Sequence, residues 1–98
     1  MTNVIDVVGM GKFKRFRFTD KNSYLEGTLL RTASAGNRFL RFHFFKLKDG
    51  TRRFVVDSRS LDLPLSFVSA HDYVRIQFLG TVQVRHFRVQ RWVGKGAK

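Results

Sequence analysis

Residues 38–48, with the sequence RFLRFHFFKLK, interleave aromatic and cationic side chains with a period of two. This is the period of a β-strand, in which successive side chains point to opposite faces. One face would carry an apolar row suited to a core, Leu40, Phe42 and Phe44. The other would carry a mixture of rings and charges, Phe39, Arg41, His43 and Phe45. The segment therefore predicts a β-rich chain in which one strand face is suited neither to a core nor to an ordinary wet surface.

Two interpretations of the mixed face are open at this point. Exposed rings set between guanidinium groups suit single-stranded nucleic acid, because bases stack on the rings and phosphates pair with the cations. Alternatively, the strand is buried on both faces and Arg41 extends its charged end to solvent, since Phe is usually a core residue.

The charge of the whole chain favours the first interpretation. Lys and Arg number 19 and Asp and Glu number 7, which gives a formal net charge of +12 on 98 residues. Such a field attracts polyanions. The cations are spread over several predicted strands, at Lys12, Lys14, Arg15 and Arg17, at Arg52 and Arg53, and at Arg85, Arg88 and Arg91. Solubility charge or ribosome-like RNA packing would also give a basic chain, but neither explains the interleaved rings.

Enzyme signatures are not evident in the sequence. The chain has no Cys and therefore no disulfide, thiolate zinc site or cysteine nucleophile. His43, His71 and His86 lack the spacing of metal ligands, and no carboxylate pair or phosphate-binding glycine loop stands out. We therefore expect a binding protein with no catalytic residues, no metal and no cofactor.

The length of 98 residues suits one domain with a single modest core. No apolar run approaches the roughly 20 residues that span a bilayer. The first ten residues carry Asp6 and no basic segment, unlike a secretory signal. We expect no membrane partner and a cytoplasmic location, in the host cytoplasm if the protein is viral.

A short β-branched run at residues 3–8 predicts a lead-in or edge strand within residues 1–11. The strand-like segments that follow, with their rings and cations, are expected to form a nucleic-acid-binding domain over residues 12–93. A basic flexible tail is expected at residues 94–98. Asp49-Gly50 lies between two strand-like runs and predicts a hairpin with a type I′ turn. Residues 59–72 lack the alternation and predict a loop followed by a short helix near residues 65–70, with Pro64 close to the first turn.

About five core strands, a long central hairpin and one helix between the third and fourth strands resemble an OB fold, a small Greek-key barrel. The phrase VSAHDYVRI at residues 68–76 resembles the passage from helix to strand in such barrels. The resemblance covers residues 13–93 and implies an all-β, five-stranded OB-like barrel with one short helix. The strong basicity, without a Gly/Pro-rich tail ending in an acidic tip, is similar to small single-stranded DNA-binding proteins of phages and mobile elements. That resemblance implies a protein that coats single-stranded DNA in replication or recombination.

The residues expected to bind nucleic acid are the aromatic and cationic side chains of the predicted outer faces: Lys12, Phe13, Lys14, Arg15, Arg17, Phe39, Arg41, His43, Phe45, Arg53, Tyr73, Arg75, Arg88 and Trp92. Phe39, Phe45 and Trp92 are the first candidates for stacking, because each is out of phase with the apolar row of its strand. For each of them a place in the core is the alternative.

Amide side chains that could read base edges are few, so we expect binding that is largely indifferent to base sequence. RNA could use the same sheet, and a basic structural or assembly protein with an acidic partner is an alternative from another class. We also expect a homodimer, since an edge strand at residues 3–8 would offer a surface that a second copy can cover.

Overall fold

The computed structural model describes residues 12–34 and 41–96 of the chain. These described residues form six strands and one helix: β1 (Lys14–Arg15), β2 (Tyr24–Ser34), β3 (Arg41–Leu47), β4 (Arg52–Val55), α1 (Arg59–Leu65), β5 (Tyr73–Val82) and β6 (Val84–Trp92). The predicted class, all-β with one short helix, is confirmed. The predicted lead-in strand within residues 1–11 lies outside the described residues, as does Phe39.

The strands form one sheet in the order β1-β4-β3-β2-β5-β6. β1 runs parallel to β4, and every other neighbouring pair is antiparallel. In the part of the chain that the structure describes, β4 does not pair with β6, so the sheet stays open. The predicted five-stranded barrel is therefore wrong in its strand number and its closure. The sheet gains a sixth strand and does not close at β4 because β1 pairs with the edge of β4 that faces away from β3, with Lys14 opposite Arg53.

The predicted hairpin connects β3 to β4, but its turn differs from the predicted type I′. The Leu47 N–H donates to the carbonyl of Thr51 over 2.7 Å, and the Gly50 N–H donates to the carbonyl of Leu47 over 2.9 Å. Gly50 has φ of +89° while Asp49 does not have a positive φ, which a type I′ turn would require. The Asp49 carboxylate accepts hydrogen bonds from the N–H and hydroxyl of Thr51, which stabilises the three-residue loop.

α1 begins six residues earlier than predicted, after an extended N-cap residue, Ser58. The Ser58 carbonyl accepts hydrogen bonds from the N–H groups of Leu61 and Asp62 at 3.0 and 3.2 Å. Leu61 and Leu65 are one turn apart and both buried, so their shared face fixes the helix against the sheet. Pro64 lies in the last turn rather than in the first. Within residues 12–34 and 41–96, no helix is long and apolar enough to cross a membrane.

The main core lies between α1 and one face of the sheet, here called the inner face. Its buried residues are Phe18, Leu25, Leu29, Phe45, Val55, Leu61, Leu65, Val74, Ile76 and Phe78. A second, smaller cluster lies on the opposite or outer face, where Phe13, Ala33 and Phe44 are buried and Leu30, Phe42 and Phe54 pack against them. Phe44 and Phe45 are both 0% exposed, so β3 is buried on both faces.

β2 lies at the centre of the sheet and bends around two local features. The register with β3 shifts between Leu29 and Arg31, which marks a bulge at Leu30. At Gly27 the two backbones approach closely, since a Cβ there would lie 2.7 Å from the Leu47 Cα and closer still to the Lys46 carbonyl. Glycine is therefore required at this position for steric reasons.

We expect Gly27→Ala to lower the free energy of unfolding by about 1–3 kcal/mol, because the added methyl group must push β2 and β3 apart. Urea denaturation followed by circular dichroism measures the change. Gly50→Asn is the control. Nothing lies within 4 Å of a Cβ at Gly50, and Asn tolerates a positive φ, so its loss should be about 1 kcal/mol at most. Equal losses in the two variants would contradict the close approach at Gly27.

Candidate nucleic-acid interface

Three cross-strand rows of side chains lie on the outer face where β2, β5 and β6 pair. Residues directly opposite each other in antiparallel strands share a face. The pairing register gives the rows Tyr24–Gln77–Arg88, Glu26–Arg75–Gln90 and Thr28–Tyr73–Trp92. Thr28 is buried, and the other eight residues are here called the outer patch: Tyr24, Glu26, Tyr73, Arg75, Gln77, Arg88, Gln90 and Trp92.

Rings and cations contact each other within the outer patch. The Arg75 guanidinium lies 4.4 Å from the centroid of the Tyr24 ring, in cation–π geometry. The Tyr73 and Trp92 rings are 5.6 Å apart with their planes at 63°. Tyr24 is 53% exposed and Trp92 is 42% exposed. The patch therefore presents aromatic surface and positive charge to solvent side by side.

Glu26 is the acidic residue of the outer patch and orients its neighbours. The Tyr73 hydroxyl donates a hydrogen bond to Glu26 Oε2. Arg75 Nη1 and Lys48 Nζ lie 3.9 Å from Oε1 and Oε2, respectively. Partial burial, followed by the Glu26 carboxylate, raises the pKa of Tyr73 to about 12. Tyr73 therefore keeps its proton and remains a hydrogen-bond donor at neutral pH.

The row that contains Tyr73 and Trp92 continues across the sheet. Thr28 lies opposite Lys46 of β3, and Lys46 lies opposite Arg52 of β4. The Arg52 guanidinium lies 5.9 Å from the centroid of the Phe13 ring. Lys46 and Arg52 thus extend the positive surface from the outer patch to the second apolar cluster.

Asp72 connects the end of β6 to the turn before β5. Its carboxylate accepts hydrogen bonds from the N–H groups of Gly94 and Ser69, both at 2.8 Å, and from Arg91 Nε at 2.6 Å. The two backbone donors are the main reason that the pKa of Asp72 lies below its usual value. The Gly96 N–H also donates to the His71 carbonyl over 2.8 Å. Residues 94–96, expected as part of a flexible tail, are therefore hydrogen-bonded beside the Trp92 end of the patch.

The structure brings together four of the residues predicted to bind nucleic acid, Tyr73, Arg75, Arg88 and Trp92, in the outer patch. It buries three others. Phe45 and His43 belong to the inner face, which α1 covers, and Phe13 packs edge-on against Phe44 at 5.3 Å. The expectation that Phe13, His43 and Phe45 are exposed for binding is therefore wrong.

His43 connects three elements instead of facing a ligand. Its Nε2 lies 2.8 Å from Asp62 Oδ1 of α1, and its Nδ1 lies 3.2 Å from Thr32 Oγ1 of β2. Because an ionised carboxylate only accepts, Nε2 donates to Asp62, and Nδ1 of the neutral ring accepts from the Thr32 hydroxyl. Burial lowers the pKa of His43, and the Asp62 carboxylate opposes that shift only in part.

The remaining predicted cations lie away from the outer patch. Lys12, Lys14, Arg15 and Arg17 are exposed on and around β1, at the opposite edge of the sheet from β6. Arg53 is half-buried beside them, and Arg41 is exposed at the start of β3. Arg15 Nη2 donates to the Val56 carbonyl over 3.1 Å. The predicted binding residues therefore divide into two groups, one at each side of the sheet.

Among the aromatic and charged residues of this surface, sequence reasoning missed four: Tyr24, Glu26, Lys46 and Arg52. Tyr24 carried a usable signal, since it is out of phase with Leu25 and Leu29 in the same way that Trp92 is out of phase with Val89. Lys46 was missed because it is in phase with Phe42 and Phe44, which the alternation within residues 38–48 assigned to the core face. Glu26 carried no signal that distinguishes it from an ordinary surface carboxylate.

Comparison with known proteins gives no similar protein. No family model matches the chain, and no curated protein or solved structure matches it. The outer patch is therefore interpreted from its own chemistry.

We expect the free energy of unfolding to fall as the pH drops from about 7 to 5, because of His43. The unfolded state takes up the His43 proton near pH 6.5, whereas the folded state resists it. One such proton gives a slope of at most about 1.4 kcal/mol per pH unit. Urea denaturation at a series of pH values measures it.

His43→Gln should abolish this part of the pH dependence, because the amide can still donate to Asp62 but does not titrate in this range. His86→Gln is the matched control, since His86 is exposed and the slope should persist. A stability that rises on acidification in the wild type would mean that the Asp62 pairing outweighs the burial of His43.

Proposed function

We propose that the protein binds single-stranded nucleic acid, with DNA as the first candidate, through the outer patch. The observation that carries the proposal is the set of cross-strand rows that places Tyr24, Tyr73 and Trp92 beside Arg75 and Arg88 on one sheet face, where the Tyr24 and Trp92 rings are exposed. Bases would stack on the rings, and phosphates would pair with the surrounding guanidinium and ammonium groups. The net charge of +12 would attract the strand from a distance.

A single strand fits this surface better than a duplex does. The rings of a sheet can stack only on bases that are unstacked from their neighbours, as in single strands. Major-groove readers usually present a helix. Here α1 packs on the inner face through Leu61 and Leu65, away from the rows of rings and cations.

We further propose that the chain is a variant of the OB-like fold used by small single-strand-binding proteins of phages and mobile elements. β2, β3 and β4 pair in succession, and β5 returns after α1 to pair with β2. The resulting order β5-β2-β3-β4 is the order of a Greek key. OB barrels are partly open, and they bind oligonucleotides on one sheet face. The proposed role is coating of single strands in replication or recombination, in the cytoplasm of the cell or of a viral host.

Two alternatives have support from particular features. RNA could stack on the same rings, and only a contact to the 2′-hydroxyl would distinguish it. An acidic protein partner or a second copy could instead pair with β6. This strand is last in the sheet order of the described residues, and Val84 at its start is exposed. Binding assays with oligo-dT, oligo-U and duplex of equal length at several salt concentrations separate these cases.

We expect Trp92→Ala to weaken binding of a single strand by about 1–3 kcal/mol, the usual cost of removing a stacking ring. Fluorescence anisotropy with a labelled oligonucleotide measures the dissociation constant. Phe67→Ala is the control, because Phe67 is an aromatic residue with 73% exposure in the segment after α1, outside the outer patch. Equal losses in both variants, or a loss in neither, would exclude stacking on Trp92.

We expect the affinity for a single strand to fall steeply with salt. Each neutralised phosphate contributes a slope of about −0.7 to the plot of log affinity against log salt, so roughly four to six contacts give about −3 to −4. Arg88→Ala should make that slope shallower by about 0.7, the contribution of one phosphate contact. Arg59→Ala removes an equal charge from α1 and should leave the slope unchanged. A slope near zero with binding retained would contradict phosphate pairing.

A further inference from the structure

Glu26 is the residue of the outer patch that nonspecific strand coating leaves unexplained. It occupies the middle row, opposite Arg75, and its side chain remains 19% exposed. A carboxylate repels phosphate groups, so a surface that only coats strands has no use for a negative charge at this place. Glu26 must therefore either hold its neighbours in place or contact a part of the nucleotide other than the phosphate.

The two carboxylate oxygens of Glu26 have different surroundings. Oε2 accepts the hydrogen bond from the Tyr73 hydroxyl. Oε1 lies 3.9 Å from Arg75 Nη1, which is longer than a hydrogen bond. Among the described residues, no donor lies within hydrogen-bond distance of Oε1. Oε1 thus keeps its capacity to accept a hydrogen bond from a ligand.

Tyr73 determines where a base would lie relative to that oxygen. Since the Tyr73 and Trp92 planes are at 63°, a base can lie flat on only one of the two rings. The Arg75 guanidinium lies over the Tyr24 ring and reduces the room for a base there. A base stacked on Tyr73 brings its edge towards the rim that carries the hydroxyl, where the Glu26 carboxylate is held.

We propose that Glu26 accepts a hydrogen bond from the exocyclic amino group of a base stacked on Tyr73, so that the surface prefers cytosine to thymine or uracil. This inference rests on the proposed function and adds a modest preference to an otherwise sequence-tolerant surface. An ionised carboxylate can only accept hydrogen bonds. Cytosine presents an amino donor at the position where thymine presents a carbonyl oxygen. Cytosine therefore pairs with Oε1, and thymine or uracil places an acceptor against it.

The test compares binding of oligo-dC, oligo-dT and oligo-dU of equal length at one salt concentration. The three are all pyrimidine strands, and dU controls for the thymine methyl group. We expect the wild type to bind oligo-dC roughly tenfold more tightly than the other two, as for one hydrogen bond to a charged group. Fluorescence anisotropy gives the ratio of dissociation constants.

Three variants separate base recognition from charge. Glu26→Gln retains an acceptor for the Tyr73 hydroxyl, removes the repulsion and adds an amide donor, so all strands should bind more tightly and the ratio should approach one. Glu26→Asp keeps the charge but withdraws the carboxylate by one methylene, so the ratio should fall without a general gain in affinity. Asp49→Asn removes an equal charge at the β3–β4 turn and should leave the ratio unchanged.

The outcomes distinguish this inference from the proposed function. If the wild type binds none of the strands, the proposed function itself fails. If the wild type binds all three equally, or if the preference for oligo-dC survives in both folded Glu26 variants, Glu26 only positions Tyr73 and the inference is overturned while strand binding stands. Circular dichroism of each variant establishes that it is folded before its ratio is used.

Discussion

The complete burial of two neighbouring residues, Phe44 and Phe45, is the constraint on which the rest of the structure depends. Successive side chains of a strand point to opposite faces, so β3 needs a separate cover on each side. α1 supplies one through Leu61 and Leu65, and the segment around β1 supplies the other through Phe13. Both faces of the sheet are therefore closed at β3. On the outer face of β5 and β6, Trp92 and Arg88 are exposed, and this is where the outer patch lies.

The chemical identity of the rings agrees with this division. Apart from His43, whose ring nitrogens contact Thr32 and Asp62, the buried or half-buried rings around β3 are all Phe, which has no polar atom to satisfy in a core. The rings of the outer patch are Tyr24, Tyr73 and Trp92, each with an apolar body and a polar group suited to a wet surface. Tyr73 shows the difference most clearly, since its hydroxyl is bound by Glu26 at the outer face. Exposed rings that are held by polar contacts remain available to a ligand without belonging to the core.

Sequence reasoning succeeded where only one face of a strand is buried. In β5, the alternation correctly separated Val74, Ile76 and Phe78 from Tyr73, Arg75 and Gln77, because the first three belong to the main core and the other three are only half-buried on the opposite face. The same reasoning failed in β3, where a period of two carries no information once both faces are buried. It also could not foresee the bulge at Leu30 or the pairing of β1 with β4, since both depend on contacts between distant segments. The preference of Phe for cores and of Tyr and Trp for interfaces was the signal that could have corrected Phe45.

If the proposed function holds, the size of the outer face limits how many nucleotides of a single strand one copy can contact. The row from Trp92 through Tyr73, Thr28 and Lys46 to Arg52 crosses five neighbouring strands. Strands lie about 4.8 Å apart, so the row is on the order of 19 Å long. That length accommodates a few nucleotides, near the lower end of the roughly 4–16 nucleotides that one OB fold occupies. A ligand that follows this row would run across the β-strands, and its phosphates would meet Lys46 and Arg52 at the β3–β4 end. Glu26 lies on β2 near the middle, in the neighbouring row. Coverage of a long single strand would then require many copies side by side, each holding a short segment.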